Sequence, residues 1–322
     1  MDQKNANIQI EKALLYHLTF RFRKKINFDQ DYHWIEQGKT LSADELFFSS
    51  SVRKELPASQ ELLHLRKSYQ KAYEKGVRWT FLQDQDYPVS LRNIEDPAIC
   101  LSYLGKALWK THDFFSVVGS REPSEESLLW MEKELSVVLE KNQMGIISGG
   151  ARGVDQMSHR LCLRKDRPTL ALLPSGLAKP YPQNLLEWLP WIQQGRLTLI
   201  SEYPLFQTMQ KYFFHDRNRP ISSLGLCTLL VEARRKSGTM VTAQRALEQN
   251  KTVMVVPAHP LDPKAQGGMD LLCEGASLVR DAQDIQIILN SERRWSYLVG
   301  QRCIGDSSTS EAAKPYRDAL HS

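Results

Sequence analysis

FFSVVGSREPSEESLLWMEKELSVV, residues 114–138, is a short apolar run that stops at a glycine and then turns helical. Phe114 to Val118 is apolar enough for a strand buried on both faces, and Leu128, Met131, Leu135 and Val138 then recur at helical intervals. Between them Ser124 stands as an N-cap, and Glu125 and Glu126 suit the positive end of a helix. The same order returns after Cys227 to Val231, where Ser237-Gly238-Thr239 opens a stretch in which Met240, Ala243 and Leu247 share one face, ending near Asn250. Further short runs lie at Met144 to Ile147, Thr169 to Leu173, Leu197 to Ile200 and Thr252 to Val256. Buried runs alternating with helices are the sequence form of a parallel sheet covered on both faces. The fold class is therefore α/β, with a doubly wound, mostly parallel sheet over residues 76–290.

Outward from this core the texture changes. Residues 1–75 are rich in charge and leucine, with Leu14, Leu15 and Leu18 followed by Leu46, then Leu62, Leu63, Leu65 and Tyr69 at mostly helical spacing, which predicts a small N-terminal helical domain. Residues 291–322 carry Gly305-Asp306-Ser307-Ser308-Thr309-Ser310 and few apolar residues, so a loose tail is expected there. No apolar run reaches the roughly 18 residues of a membrane helix, and the polar start is unlike a signal peptide, which together predict a soluble cytoplasmic protein. The 5 cysteines are scattered without a C-x-x-C pair, which argues for reduced thiols and against both a disulfide framework and a zinc site. The net charge of +5 permits a nucleic-acid partner without requiring one.

Several stretches carry chemistry. Gly119-Ser120-Arg121 sits where a strand hands over to a helix: glycine admits close approach, helix-start N–H groups attract an anion, and arginine clamps it. A plain tight turn with a surface arginine is the alternative. Ser148-Gly149-Gly150-Ala151-Arg152-Gly153-Val154-Asp155 again follows a strand, and open α/β sheets bind ligands outside those strand ends. It matches neither G-x-G-x-x-G nor G-x-x-x-x-G-K-[ST], which argues against dinucleotide binding and P-loop hydrolysis. Asp155 and His159, four apart on one helix face, are placed to form a side-chain pair, read as structural and fixing the loop, with a catalytic dyad as the alternative.

The densest stretch is Lys211-Tyr212-Phe213-Phe214-His215-Asp216-Arg217-Asn218-Arg219. Single-stranded nucleic acid is held by cations on phosphates and by rings that stack on bases, and both occur here within nine residues, with Phe214 as the candidate platform. The alternative is that the aromatics enter the core while Arg217 and Arg219 pair with acids. Arg234-Arg235-Lys236, just before Ser237-Gly238-Thr239, adds a second cationic turn, with a solvated charge run as the alternative.

In order, V-V-G-S-R (Val117 to Arg121), S-G-G-A-R-G-V-D with His159, Y-P (Tyr181, Pro182), S-E (Ser201, Glu202), K-x-x-F-x-x-R-N-R (Lys211 to Arg219), S-G-T-x-x-T-A (Ser237 to Ala243) and V-P (Val256, Pro257) resemble the DNA-processing A family. The resemblance spans about Gly76 to Ala276. It implies an extended Rossmann-like fold that dimerises, a sterile-alpha-motif-like N-terminal domain, and a protein of natural transformation that binds and protects incoming single-stranded DNA and loads a RecA-type recombinase. By motif, Arg121, Lys211 and Phe214 are the implied DNA contacts, with Gly119, Ser120, Gly150, Arg152, Arg217, Asn218, Arg219, Ser237, Gly238 and Thr239 around them. Catalytic residues, metal and organic cofactor are not called for.

Three departures from the pattern stand out: a full winged helix is not expected within the roughly 30 residues after the Rossmann-like domain, and, since Pro257-Ala258-His259-Pro260 replaces a proline-glycine and Met269 stands where asparagine is usual, the rim of the pocket is expected to differ. Two other readings remain open: a nucleotide-binding sensor, and a phosphoribohydrolase-like enzyme on the same fold, although Ser237-Gly238-Thr239 lacks the glycine run that such an enzyme carries.

Overall fold

The computed structural model describes residues 3–20 and 59–305. Its centre is a nine-stranded sheet in the order β1-β2-β6-β5-β4-β3-β7-β8-β9. The strands are β1 (Val77–Phe81), β2 (Cys100–Leu104), β3 (Phe114–Gly119), β4 (Gly145–Ser148), β5 (Thr169–Leu172), β6 (Leu197–Ser201), β7 (Thr228–Val231), β8 (Val253–Val255) and β9 (Ser277–Leu278). From β6 to β9 all neighbours are parallel, while β2 pairs antiparallel with both β1 and β6. Each apolar run read from the sequence is a strand of the parallel part.

The helices are α1 (Gln3–Thr19), α2 (Ser59–Glu74), α3 (Val89–Arg92), α4 (Glu125–Trp130), α5 (Ser136–Lys141), α6 (Val154–Arg164), α7 (Leu189–Gln193), α8 (Phe213–Leu224), α9 (Gly238–Glu248), α10 (Gln266–Cys273) and α11 (Ala282–Gly305). Alternation along β3 shows how the sheet is covered. Phe115 and Val117 join a core with Met131, Leu135 and Val138 of the α4–α5 segment, Leu161 of α6 and Ile285 and Leu289 of α11. Phe114 and Val118 face the other way, onto Ile221 of α8, Ala243 and Ala246 of α9 and Leu271 of α10. This is the doubly wound arrangement.

The capping expected at Ser124 is present: its side chain accepts from the N–H of Ser127. Ser237 caps α9 the same way, accepting from Met240. The apolar face of α9 is rotated from the expected one, however, with Thr239, Thr242, Ala243 and Ala246 buried and Leu247 exposed. A π turn at Met131–Leu135 joins α4 to α5 and carries Glu134, which accepts from the N–H of Ala282 at the start of α11.

Helices α1 and α2 pack on each other and share a core with Trp79 and Phe81 of β1, Tyr203, Leu205 and Phe213. Tyr16 donates to the carbonyl of Glu202, and the Leu205 N–H donates to Tyr69, so the pair grips the segment leading into α8. Most of the sterile-alpha-motif-like region expected within residues 1–75, residues 21–58, lies outside the described residues. The boundary expected at Ser291 falls inside α11, which runs to Gly305. Midway along it, the Arg293 guanidinium donates to Asp113 at 2.8 Å. Residues 306–322, the remainder of the expected tail, lie outside the described residues. Cys100, Cys162, Cys227 and Cys273 are free thiols, and no described helix is long and apolar enough to cross a membrane.

Candidate functional site

The chain runs outward from β3 through β4, β5 and β6, then returns on α8 to place β7 on the other side of β3. A reversal of this kind leaves a crevice outside the carboxyl ends of the strands. Here it is a cavity of about 520 Å³ lined by Gly119, Ser120 and Arg121 after β3, Ala151 and Asp155 after β4, Lys211, Phe214, Arg217 and Asn218 around α8, Glu232 and Arg234 after β7, and Ser237, Gly238 and Thr239 at the start of α9.

Close backbone packing builds the crevice. A Cβ on Gly119 would run into the Val231 carbonyl and the Val154 side chain, so only glycine lets β3, β7 and α6 converge. Thr239 donates to the Gly119 carbonyl at 3.0 Å, fastening the start of α9 to the end of β3. The Asn218 side-chain amide donates to the Gly238 carbonyl at 3.0 Å and fixes the same turn from α8. Asn218 and Thr239 therefore hold the walls of the crevice in place.

Phe214 is half-buried, with the Arg121 guanidinium 4.8 Å from its ring centroid and that of Arg217 at 5.9 Å. Tyr181 meets the same ring edge-on, with centroids 5.8 Å apart. Phe213, its neighbour, is fully inside the core. Lys211 is exposed at the crevice mouth. Arg217 is 5% exposed and makes no close ion pair: Asp155 is 4.0 Å away, and its Nε has no hydrogen-bond partner. Burial lowers the pKa of Arg217, against the pull of Asp155, and burial raises that of Asp155 despite the arginine. The guanidinium rests on Gly149, where any Cβ would displace it.

Other expected site residues lie elsewhere. Arg219 does not line the crevice; it pairs with Glu202 and Asp96 beneath α1, because two residues along a helix turn a side chain through about 200°. Gly150 shapes the β4–α6 turn with a φ of +70, and Arg152 is exposed beside the crevice without lining it. Arg235 is held by Asp270 and Gln266, leaving Arg234 as the crevice cation of that trio. Asp155 and His159 do not pair: the Asp155 carboxylate accepts from the Ala151 N–H, while His159 is buried against Thr169 and Trp188. Burial, reinforced by the nearby Arg217 charge, pushes the His159 pKa down to about 3. Pro257, Ala258 and His259 line a neighbouring cavity instead of the crevice.

Residues absent from the sequence reading of the site are Gly149 as the seat of Arg217, Tyr181 against Phe214, and Glu232. Glu232 takes a left-handed backbone, φ +58, immediately after β7, and its Oε2 accepts from the Ser124 N–H and the Ser127 hydroxyl. Non-glycine residues held in that conformation concentrate at ligand clamps. Among the described residues no cluster of side chains is arranged to hold a metal ion.

The model of the family described as DNA recombination-mediator protein A matches residues 78–290. The DNA processing protein DprA of Streptococcus pneumoniae is 32% identical over 222 residues, 69% of this chain and 76% of the relative. DprA of Bacillus subtilis is 28% identical over 260 residues, covering 78% and 87%. Among solved structures, DNA processing protein A of Helicobacter pylori, described with its single-stranded DNA binding mode, superposes with a TM-score of 0.58 at 29% identity, over 66% of this chain and 96% of that one.

Proposed function

The chain belongs to the DNA recombination-mediator protein A family, and on that premise we propose that it binds single-stranded DNA through the crevice at the ends of β3, β4 and β7. The observation that carries this reading is Arg217: a guanidinium 5% exposed, on the wall of a crevice, with its Nε unpaired and its nearest carboxylate at 4.0 Å. Buried charges are ordinarily paired and hydrogen-bonded, so a cation left this way is ready for an anion. Arg121, Lys211 and Arg234 surround the same space, and the start of α9 opens onto it. Phosphate is the anion that fits. Phe214 supplies the ring on which an unpaired base stacks.

Contacts to phosphates and base faces carry little sequence information, so binding has weak sequence preference and strong salt dependence. Paired bases are unavailable for stacking, which makes duplex the poorer ligand. The role is non-enzymatic: the protein coats and protects incoming strands in the cytoplasm during transformation and passes them to a RecA-type recombinase. It works as a homodimer, whose two crevices raise apparent affinity when one strand spans both. The short edge strand β9, with Leu278 exposed on it, is one surface open to a second copy.

Fluorescence anisotropy of a labelled oligonucleotide, single-stranded against duplex across a salt series, tests the reading. Preferential single-strand binding that weakens with salt and in Arg121→Ala, Lys211→Ala and Phe214→Ala supports it. Folded protein that binds no oligonucleotide overturns it.

A further inference from the structure

Beside the crevice lies a second cavity, of about 430 Å³, at the carboxyl end of β8, and among the described residues Glu232 is the one that lines both. The two differ in charge. Arg121, Lys211, Arg217 and Arg234 line the first among the acids Glu122, Asp155 and Glu232, whereas Glu126, Glu232 and Asp262 line the second with His259, and no lysine or arginine is on its wall. Glu232 itself is 6% exposed. Its Oε2 is satisfied by the Ser124 N–H at 2.7 Å and the Ser127 hydroxyl at 2.9 Å, but its Oε1 is buried without a hydrogen-bond partner. A shielded carboxylate oxygen without a donor is an unfavourable arrangement that a ligand's N–H relieves.

Trp130 also lines the second cavity. Its indole N–H donates to the Arg280 carbonyl at 2.8 Å, so the part left for a ligand is the ring. An aromatic surface, an unpaired acceptor and an acidic wall suit a flat, donor-bearing group. An anion-binding space beside a donor-binding one, with Glu232 on the wall of both, suits a single ligand with a phosphate at one end and an amine at the other.

We propose that the second cavity receives a nucleobase of the strand whose phosphate sits in the crevice, and that Glu232 accepts a hydrogen bond from the base's exocyclic amine. The inference rests on the strand-binding reading above and adds a base preference to it. Cytosine, adenine and guanine carry such an amine. Thymine presents carbonyl oxygens on both sides of its one N–H, and these repel a carboxylate. Acidic side chains read the cytosine amine elsewhere by the same logic.

The decisive comparison is between oligonucleotides of 5-methylcytosine and of thymine, equal in length, whose bases share the methyl group and differ at the amine-bearing edge. Anisotropy is measured for the full chain, for Glu232→Gln, and for Asp262→Asn, the last in a loop away from the crevice. The expected result is tighter binding of the methylcytosine strand by about tenfold, the size of one good base contact. That ratio falls towards one in Glu232→Gln and narrows in Asp262→Asn. Equal affinity for the two strands, both salt-dependent, overturns the base pocket and leaves strand binding standing, as does a preference unchanged in both variants. Loss of all binding to either strand by the folded wild type overturns both.

Discussion

The guanidinium of Arg217 lies against the backbone of Gly149, in the space a Cβ there would occupy. The S-G-G turn after β4 is therefore a seat for a side chain from another element, and the glycine is needed for what rests on it. Gly149→Ala is expected to push Arg217 out of the crevice wall while leaving the sheet intact. Removing one charge-assisted contact costs about 1.5–3 kcal/mol, roughly a ten- to hundredfold loss of single-strand affinity. Titration with a labelled strand, alongside a melting curve, separates this from unfolding. Unchanged affinity in a folded variant sinks the seat.

Lys211 and Arg121 act on phosphate in different ways. Lys211 is exposed at the mouth, so Lys211→Ala should weaken every strand alike and make the dependence of log affinity on log salt shallower by about 0.7 for one lost phosphate contact. Arg121 also covers the Phe214 ring at 4.8 Å. Arg121→Lys keeps the charge but loses the planar stack and the two-pronged clamp, and is expected to lose affinity at an unchanged salt slope. Matching slopes in wild type and Lys211→Ala would remove Lys211 from the phosphate path.

Arg219 predicts a change of stability instead. It holds Glu202, which is 8% exposed, together with Asp96, below α1. Arg219→Ala removes the guanidinium that pairs with Glu202 in a buried place, a loss of about 3 kcal/mol. Denaturant unfolding reads it directly. A variant as stable as the wild type would mean that Glu202 finds water or another partner.

The sheet was legible where strands are buried on both faces, because a parallel interior strand is a continuous apolar run. β1 and β2 were not read, since VRWTF and CLSYL pair antiparallel and carry Arg78 and Tyr103, half-buried, in place of an unbroken run. The crevice residues on glycine turns were legible because strand ends followed by small residues have few other uses. Within Lys211 to Arg219 the sequence offered both outcomes at once, and both occur: Phe214 and Arg217 line the crevice, while Phe213 and Arg219 serve the interior. Only the phase of α8 separates them. Glu232 had no signal at all, since its role depends on a left-handed backbone that glycine or asparagine would ordinarily announce.

Acid should unfold this protein partly through His159. The ring is fully buried, with Nδ1 hydrogen-bonded to the Thr169 hydroxyl at 2.7 Å and Nε2 unpartnered, and its pKa of about 3 lies far below the 6.5 of an exposed histidine. Below pH 6.5 the unfolded chain takes up a proton that the folded one refuses until about pH 3. Stability from this group is thus complete above pH 6.5 and falls between the two values, by about 1.4 kcal/mol per pH unit. Asp155 opposes it: burial raises its pKa, so the folded state holds that proton more readily as the pH drops. The two separate in His159→Gln, which cannot charge. Against the wild type, its unfolding free energy should lose up to one proton's worth of slope between pH 6 and 4, and parallel curves for the two proteins would show that His159 does not stay neutral in the fold.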